Sequence, residues 1–487
     1  MGTYSWDASY WGRSSKQSVT RLRARIVEMR RTSTLLGLTL LLTLPPLVVS
    51  ASVVGCGTTD DAPPAIDATT TSTPNDARIE PEAAVPQCTA VDIPVGQGKP
   101  FCDLPGVDAP EVQVPADFCV REFTTAPIHE ARVLRFAPNG DLFVSAPSMP
   151  TVGGALGGPG AIMVLPDDDH DGRADAQLTY AGPFPSEGRP CAGLESDPKN
   201  LACVHGLSFA DGYLYFTRSD EVRRVPYVAG DRVAPAAAGE LVANLGGARI
   251  PDVRWTHTLE RTKGGSLYVS RGRMDATVCN DEEMSRGVVF ALHVEEKGRL
   301  PLVPEVVADG FRNPMYLRCS PSSCGDCYAS ELSGDNWDGV GGHEKLSLLT
   351  KGESWGYPCC IAHGIPHPDI GTRDCSKIGR ELAAIPLHDT NFGLDFDRGG
   401  FPEPYRHGLF VALHGVFTSF GGTAVVWLPA HPVSLRPFGE AKSFVKGFAP
   451  TGRATDVAFA PDGRLFIADD TAGKIYWVAP RTLRAPR

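Results

Sequence analysis

The sequence has no C-x-x-C-H run, so no c-type haem is attached to this chain. It also lacks a basic patch interleaved with aromatic residues. Lys and Arg number 46 against 57 Asp and Glu, a net charge of −11, which argues against nucleic acid as a partner. No stop-transfer charges follow its one long apolar run, and two prolines interrupt that run, which disfavours a permanent membrane helix. What is abundant points elsewhere. The 487 residues include 52 Gly and 42 Pro, many for a helical bundle and well suited to a turn-rich β architecture, and 42 % hydrophobic content is enough for a full core.

The apolar run lies in MRRTSTLLGLTLLLTLPPLVVSASVVGC (29–56), which places two arginines, an apolar stretch and small residues ahead of a cysteine. That is the layout of an export signal. Its end, Val53-Val54-Gly55-Cys56, resembles the lipobox of bacterial lipoproteins, in which the cysteine is lipidated and becomes the first residue. The expectation is an exported protein held at the periplasmic or outer-membrane surface through Cys56, with residues 1–28 an over-long start ahead of Met29. Residues 57–86 are rich in Thr, Pro, Ala and Asp, with almost no large apolar side chains, and read as a disordered tether. A cysteine-bearing lead-in (87–122) follows, and the folded part is expected over 123–482.

Cysteine number agrees with export. Of 13 cysteines, Cys56 carries the lipid, leaving an even number to pair in an oxidising compartment. Cys319, Cys324 and Cys327, adjacent Cys359 and Cys360, and Cys375 would suggest zinc in the cytosol; after export, disulfides are the expected state.

One pattern recurs through the folded part. FAPNGDLFVS (136–145), FADGYLYFT (209–217), KGGSLYVS (263–270) and FAPDGRLFIA (459–468) each join a strand end, an N-G, D-G or G-G turn and an alternating apolar strand. CGDCYASEL (324–332) and YRHGLFVALHG (405–415) are weaker copies. Six units of about 60 residues have the size of four-stranded blades, so the expected fold is all-β, a six-bladed β-propeller.

Three loops carry candidate chemistry. LPDDDHDGRADAQ (165–177) spaces Asp167, Asp169, Asp171 and Asp175 around Gly172, like a calcium loop without its terminal Glu; the plain alternative is a solvated acidic turn. GFRNPMYLR (310–318) sets Arg312 and Asn313 on a backbone fixed by Pro314, a pair able to hold a carboxylate and a carbonyl together. ASELSGDNWDGVGGHEKLSLLTKGESWGYP (329–358) places Glu331, Asp335, Asp338 and Glu344 among glycines, oxygen ligands suited to Ca²⁺ or a polar loop capping a disulfide cluster.

The order of these pieces (R-N-P, then S-E-L-S-G-D-N with H-E-K-L-S, then G-E-S-W-G-Y-P) resembles the soluble glucose/sorbosone dehydrogenase family. The resemblance continues through 401–415 and 452–478 and covers about 350 residues. That family consists of periplasmic six-bladed propellers that use pyrroloquinoline quinone (PQQ) and calcium. It implies a dehydrogenase oxidising a sugar or sugar-derived aldehyde, passing electrons to an external acceptor. By the same resemblance Arg312, Asn313, His414 and Arg453 hold the cofactor, and the Ser333-Gly334 carbonyls hold its calcium. Glu331 and Glu344 then shape a neighbouring calcium site.

The chain departs from the family at Ser333-Gly334, where Gly-Pro is usual, and at His343, where Asp is usual. A further departure is in VRWTHTLERTKGGSLYVSRG (253–272). Arg254 occupies the position of the family's histidine and His257 that of its arginine, which makes His257 the expected general base, since Arg stays protonated. These departures keep two rival readings in view, a catalytically silent surface propeller that binds a glycan or protein, and a calcium-dependent lactonase-like hydrolase. The anchor is testable directly: Cys56→Ser should release the protein from membranes or block its processing, whereas an unmodified full-length chain soluble in the cytoplasm would contradict export.

Overall fold

The structure is a computed structural model describing residues 86–94, 96–147, 160–182, 204–218, 221–236, 238–246, 256–273, 275–296, 299–334, 337, 339–416 and 421–486. The signal-like run, Cys56, the tether, Arg254, Asp335, Asp338, Cys191 and Cys203 lie outside the described residues.

Each of the six repeats is the hairpin between the two innermost strands of one blade. The second shows why: Asp211 and Gly212 both take positive φ (51° and 78°), a two-residue turn whose twist matches the strands it joins. Alternation then buries one face of each strand against the neighbouring blade. Blade 1 is Leu134–Phe136, Leu142–Ala146, Ala161–Leu165 and Leu178–Ala181, and blade 2 is Leu207–Ala210, Tyr213–Arg218, Glu221–Pro226 and Glu240–Asn244. Blade 3 is Leu259–Arg261, Leu267–Arg271, Val288–Leu292 and Glu305–Asp309, and blade 4 is Asn313–Cys319, Cys327–Leu332, Glu344–Leu348 and Ala383–Ile385. Blade 5 is Asn391–Phe396, Leu409–Leu413, Ala424–Leu428 and Lys442–Val445. Blade 6 takes Ala454–Phe459, Leu465–Asp469 and Lys474–Pro480 from the end of the chain and its outer strand, Phe118–Glu122, from the start.

That outer strand closes the ring. Phe118 pairs with Pro480 and Glu122 with Tyr476, and the Phe118 ring sits edge-on to Phe401 and Phe444 at 5.0 and 5.1 Å. The folded unit therefore begins before residue 123. Much of the lead-in belongs to it: Cys102–Cys119 staples the closing strand, Cys88–Cys324 ties the lead-in to blade 4, and Phe101 packs edge-on to Trp477. The other described disulfides are Cys319–Cys327, Cys279–Cys359 and Cys360–Cys375. All ten described cysteines are paired, as expected for an oxidising compartment. Cys359 pins an insertion of blade 4, including the hairpin Cys360–Ala362 and Ile365–Pro366, to the loop of blade 3 that carries Cys279, while adjacent Cys360 closes the insertion on its own Cys375.

The innermost strands line a channel and have no further strand to pair with. Their polar backbone groups must find side chains instead. Asp395 of blade 5 accepts from Phe459 N of blade 6 at 2.8 Å, and Asp456 of blade 6 accepts from Leu134 N of blade 1 at 2.8 Å. Arg318 of blade 4 donates to the Leu394 carbonyl at 2.9 Å, and Arg135 reaches Leu259 O and Glu260 in blade 3. Gly393 is required here, because a Cβ at that position would strike Asp456.

Burial pushes the Asp456 carboxyl up to about 7, against the pull of Arg135 and Arg318. Burial raises Asp469 to about 7 as well. Folded values above the unfolded one mean stability present at low pH and lost as pH rises through about 7. The contribution is full below the unfolded carboxylate value, so the melting temperature should lose it between about pH 4 and pH 7 and level off above, and Asp456→Asn should flatten part of that fall. Calorimetric scans of both proteins check it; an unchanged slope in the variant would remove Asp456 from the account.

Candidate functional site at the channel mouth

Innermost strands of a propeller start on one face, so the residues just ahead of them meet around one end of the channel. Here those residues are Arg132, His205, His257, Arg312, Thr390 and Arg453, one from each blade, and all except Thr390 are basic side chains. Of these, the sequence motifs point to His257, Arg312 and Arg453. Arg132 and His205 were missed, although the repeats could have found them: each stands at the same offset as His257 from its own innermost strand.

Arg312 and Asn313 sit where the opening turn of blade 4 enters its strand, 1 % and 3 % exposed. Pro314 has no N–H to give the ladder, and the pairing with Cys327–Leu332 shifts register between Pro314 and Tyr316. Arg312 Nε donates to Asp275 at 2.7 Å and Nη1 to the Ser333 carbonyl at 2.6 Å. Thr256 Oγ1 lies 3.3 Å from Asn313 Oδ1, and a Cβ at Gly272 would collide with that same oxygen, so glycine is needed for the close approach of blades 3 and 4.

The expected calcium ligands are engaged with the protein. Glu331 Oε1 accepts from the Arg312 amide at 2.7 Å, and its other oxygen lies 3.6 Å from Lys345 Nζ. Glu344 accepts from Ser333 N at 2.7 Å and His388 N at 3.1 Å. Both carboxylates thus shape the loop around buried Ser333 and Gly334, whose Ser333 carbonyl already faces a guanidinium. His343, the departure beside Glu344, bonds Glu381 of the insertion at 2.7 Å.

In the next two blades, Arg453 donates to the carbonyls of His414, Gly415 and Val416 at 3.2, 3.3 and 3.0 Å. His414 stacks on Phe392 (4.4 Å, 8°), and its Nε2 lies 3.1 Å from Asp470 Oδ2, an oxygen that Arg132 Nη1 reaches at 3.0 Å. Burial opposes the Asp470 charge, but His414 and Arg132 outweigh it and hold its carboxyl below the usual range. Thr390 and His388 take positive φ, 56° and 72°, beside this cluster; the β-branched Thr390 is the more strained.

His205 is fully buried at the start of blade 2, its ring 5.3 Å from Tyr316 of blade 4, so it projects into the channel. Its Nδ1 lies 3.2 Å from the His257 carbonyl. A carbonyl only accepts, so Nδ1 carries the proton and Nε2 the lone pair. Burial, followed by the Arg132 charge, holds His205 well below the ordinary histidine value, so it is neutral at neutral pH. His257, also fully buried, contributes its carbonyl, which accepts from Gly206 N at 2.9 Å and Thr217 Oγ1 at 2.6 Å as well.

The acidic turn at 165–177 is not part of this mouth. It joins the two outer strands of blade 1, and it brings together Asp167, Asp169 and Asp175 rather than Asp171. Asp171 is spent on its own turn, accepting from Arg173 N at 2.8 Å.

No family model matches the sequence, and no curated protein matches it. Solved structures do match in fold. One is the calcium structure of a Trichoderma reesei carbohydrate-active enzyme of family AA12, at 17 % identity over 77 % of this chain and 98 % of that one, TM-score 0.59. Another is the holo PQQ domain of pyranose dehydrogenase from Coprinopsis cinerea, at 15 % identity over 77 % and 99 %, TM-score 0.53. A third is a glucose dehydrogenase at 16 % identity over 74 % and 99 %, TM-score 0.52. The chain is a six-bladed β-propeller, similar in fold to these three structures.

Proposed function

We propose that the protein is a PQQ- and calcium-dependent dehydrogenase that oxidises a sugar or sugar-derived aldehyde, exported and anchored through Cys56. The observation that carries this reading is the convergence of Arg132, His205, Arg312, Asn313, His414 and Arg453 at one end of the channel. The donor set fits a planar tricarboxylate, for which guanidinium forks are the natural partners. Asp275, whose carboxylate rests on Arg312 Nε, is 56 % exposed, so a ligand carboxylate can take its place. Arg312, Asn313 and Arg453 would hold the cofactor, with His414 on its Phe392 platform beside them. The Ser333 and Gly334 carbonyls would hold calcium, which supplies a Lewis acid there, with Arg312, a donor to the Ser333 carbonyl, beside them.

Bound PQQ supplies a two-electron acceptor for the substrate hydride. The chain's own contribution is a base. Neutral His205 takes the substrate hydroxyl proton at Nε2, while the His257 carbonyl fixes its tautomer. The role expected of His257 thus passes to its neighbour across the blade junction, and His257 becomes a positioning residue. A second reading rests on a specific observation too: Arg312 and Arg453 already bond carbonyl oxygens of the protein itself, as they would in a silent binding propeller.

Titrating PQQ into the protein with calcium, followed by an aldose and aldehyde panel with a dye acceptor, separates the two. Arg312→Ala should weaken PQQ binding by about 2–5 kcal/mol, roughly 30- to several-thousand-fold, and Arg312→Lys should recover only part. His205→Ala should spare binding and abolish turnover. His257→Ala keeps the carbonyl and should retain most activity; the reverse pattern would return the base to His257. No PQQ binding by the wild type would leave the silent propeller.

A further inference from the structure

We propose that the turn at 166–177 binds a calcium ion that locks the seam where the propeller ring closes, a site separate from the channel mouth. Carboxylate oxygens of Asp167, Asp169 and Asp175 lie within 4.8 Å of one another, close enough to share one cation. A second observation is independent of that clustering. The Asp167 side chain is about nine-tenths buried, 11 % exposed, and both of its oxygens are sealed from solvent without accepting a hydrogen bond. Its nearest cation, Arg464, is 3.5 Å away and committed to Asp462 at 2.8 Å. A carboxylate this buried, with neither oxygen in a well-formed hydrogen bond and its guanidinium shared with Asp462, is a costly arrangement, and a divalent cation satisfies both oxygens at once.

The remaining acidic groups of the turn are accounted for. Asp168 is held by Arg232 at 2.5 and 2.9 Å and Asp171 accepts from Arg173 N; of the ligands, Asp169 accepts from Asp171 N at 3.1 Å and Asp175 from Asp168 N at 2.5 Å, and both are exposed. All-carboxylate ligands on a turn around Gly172 suit Ca²⁺, which accepts many oxygens in loose geometry, better than Mg²⁺, which demands an octahedron.

The place of the turn gives the ion its role. Gly172 O accepts from the Trp477 indole of blade 6 at 2.6 Å, and Ala174 N donates to Phe123 O, directly after the closing strand, at 2.9 Å. The turn of blade 1 therefore grips both the last blade and the strand that completes it. Ordering it with an ion stabilises the closed ring.

The test uses EDTA-stripped wild-type protein and the double variant Asp169→Asn/Asp175→Asn, without PQQ, so its failure would leave the dehydrogenase reading untouched. Both substituted residues are exposed, and the variant should keep the wild-type circular dichroism. Trp477 is bonded to the turn, whereas Trp337 lies against Gly334 at the mouth, so the turn is reported by the tryptophan-sensitised Tb³⁺ luminescence that the wild type shows and the variant lacks. Wild-type protein should show this luminescence, lose it to competing Ca²⁺, and melt at a higher temperature in Ca²⁺ than in EDTA. The variant should bind at least tenfold more weakly and lose the calcium-dependent rise. Equal Tb³⁺ affinity and melting shift in the variant, or no calcium effect in the wild type, would overturn the site. An equal rise with Mg²⁺ would overturn its assignment to calcium.

Discussion

Every innermost strand of a propeller leaves one edge without a partner strand, and in this protein those edges are satisfied by side chains from other blades. Asp395 and Asp456 each accept a backbone amide of the next blade, Arg318 and Arg135 donate to carbonyls of blades 5 and 3, and Thr217 reaches the carbonyl ahead of blade 3. Buried donors and acceptors left without partners are costly, so these bonds fix how the blades stand around the axis. The channel charges are two arginines against Asp395, Asp456 and Glu260, with Asp456 pushed toward neutrality at about 7.

The mouth inherits its geometry from the same bonds. His257 holds His205 through a carbonyl, Tyr316 reaches the Arg132 carbonyl at 2.8 Å, and Thr455 reaches the Ala131 carbonyl at 2.9 Å. The basic side chains that meet there are held from several blades and brought close by Gly272. Glu331 and Glu344 serve the same end, since each fixes a backbone amide that positions Arg312 or Ser333. Closure of the ring by Phe118–Glu122 keeps the first and last blades in register with the rest.

The repeat turns made the blades legible in the sequence, because an N-G, D-G or G-G hairpin between apolar strands is a local signal. All six copies mark the same hairpin in their blades. The outer strand of blade 6 was not legible, because Phe118–Glu122 pairs with residues at the far end of the chain and carries no turn of its own. Within the site, Arg312, Asn313 and Arg453 stood out through sequence motifs. His205 and Arg132 did not, since C-V-H-G and E-A-R-V look like ordinary strand entries until the blades are superimposed by offset. Asp175 displaced Asp171 among the clustered carboxylates because Asp171 is spent on the Arg173 amide, a local bond that alternation alone does not reveal.

The central claim is that side chains bonded across blades build one anion-binding mouth. Crystals grown with PQQ and calcium test it most directly. The account predicts density for the quinone over the channel entrance, bonded to Arg312 and Arg453 and within reach of His205. Density at another surface, or an empty entrance with Asp275 still on Arg312 at saturating PQQ, would contradict it.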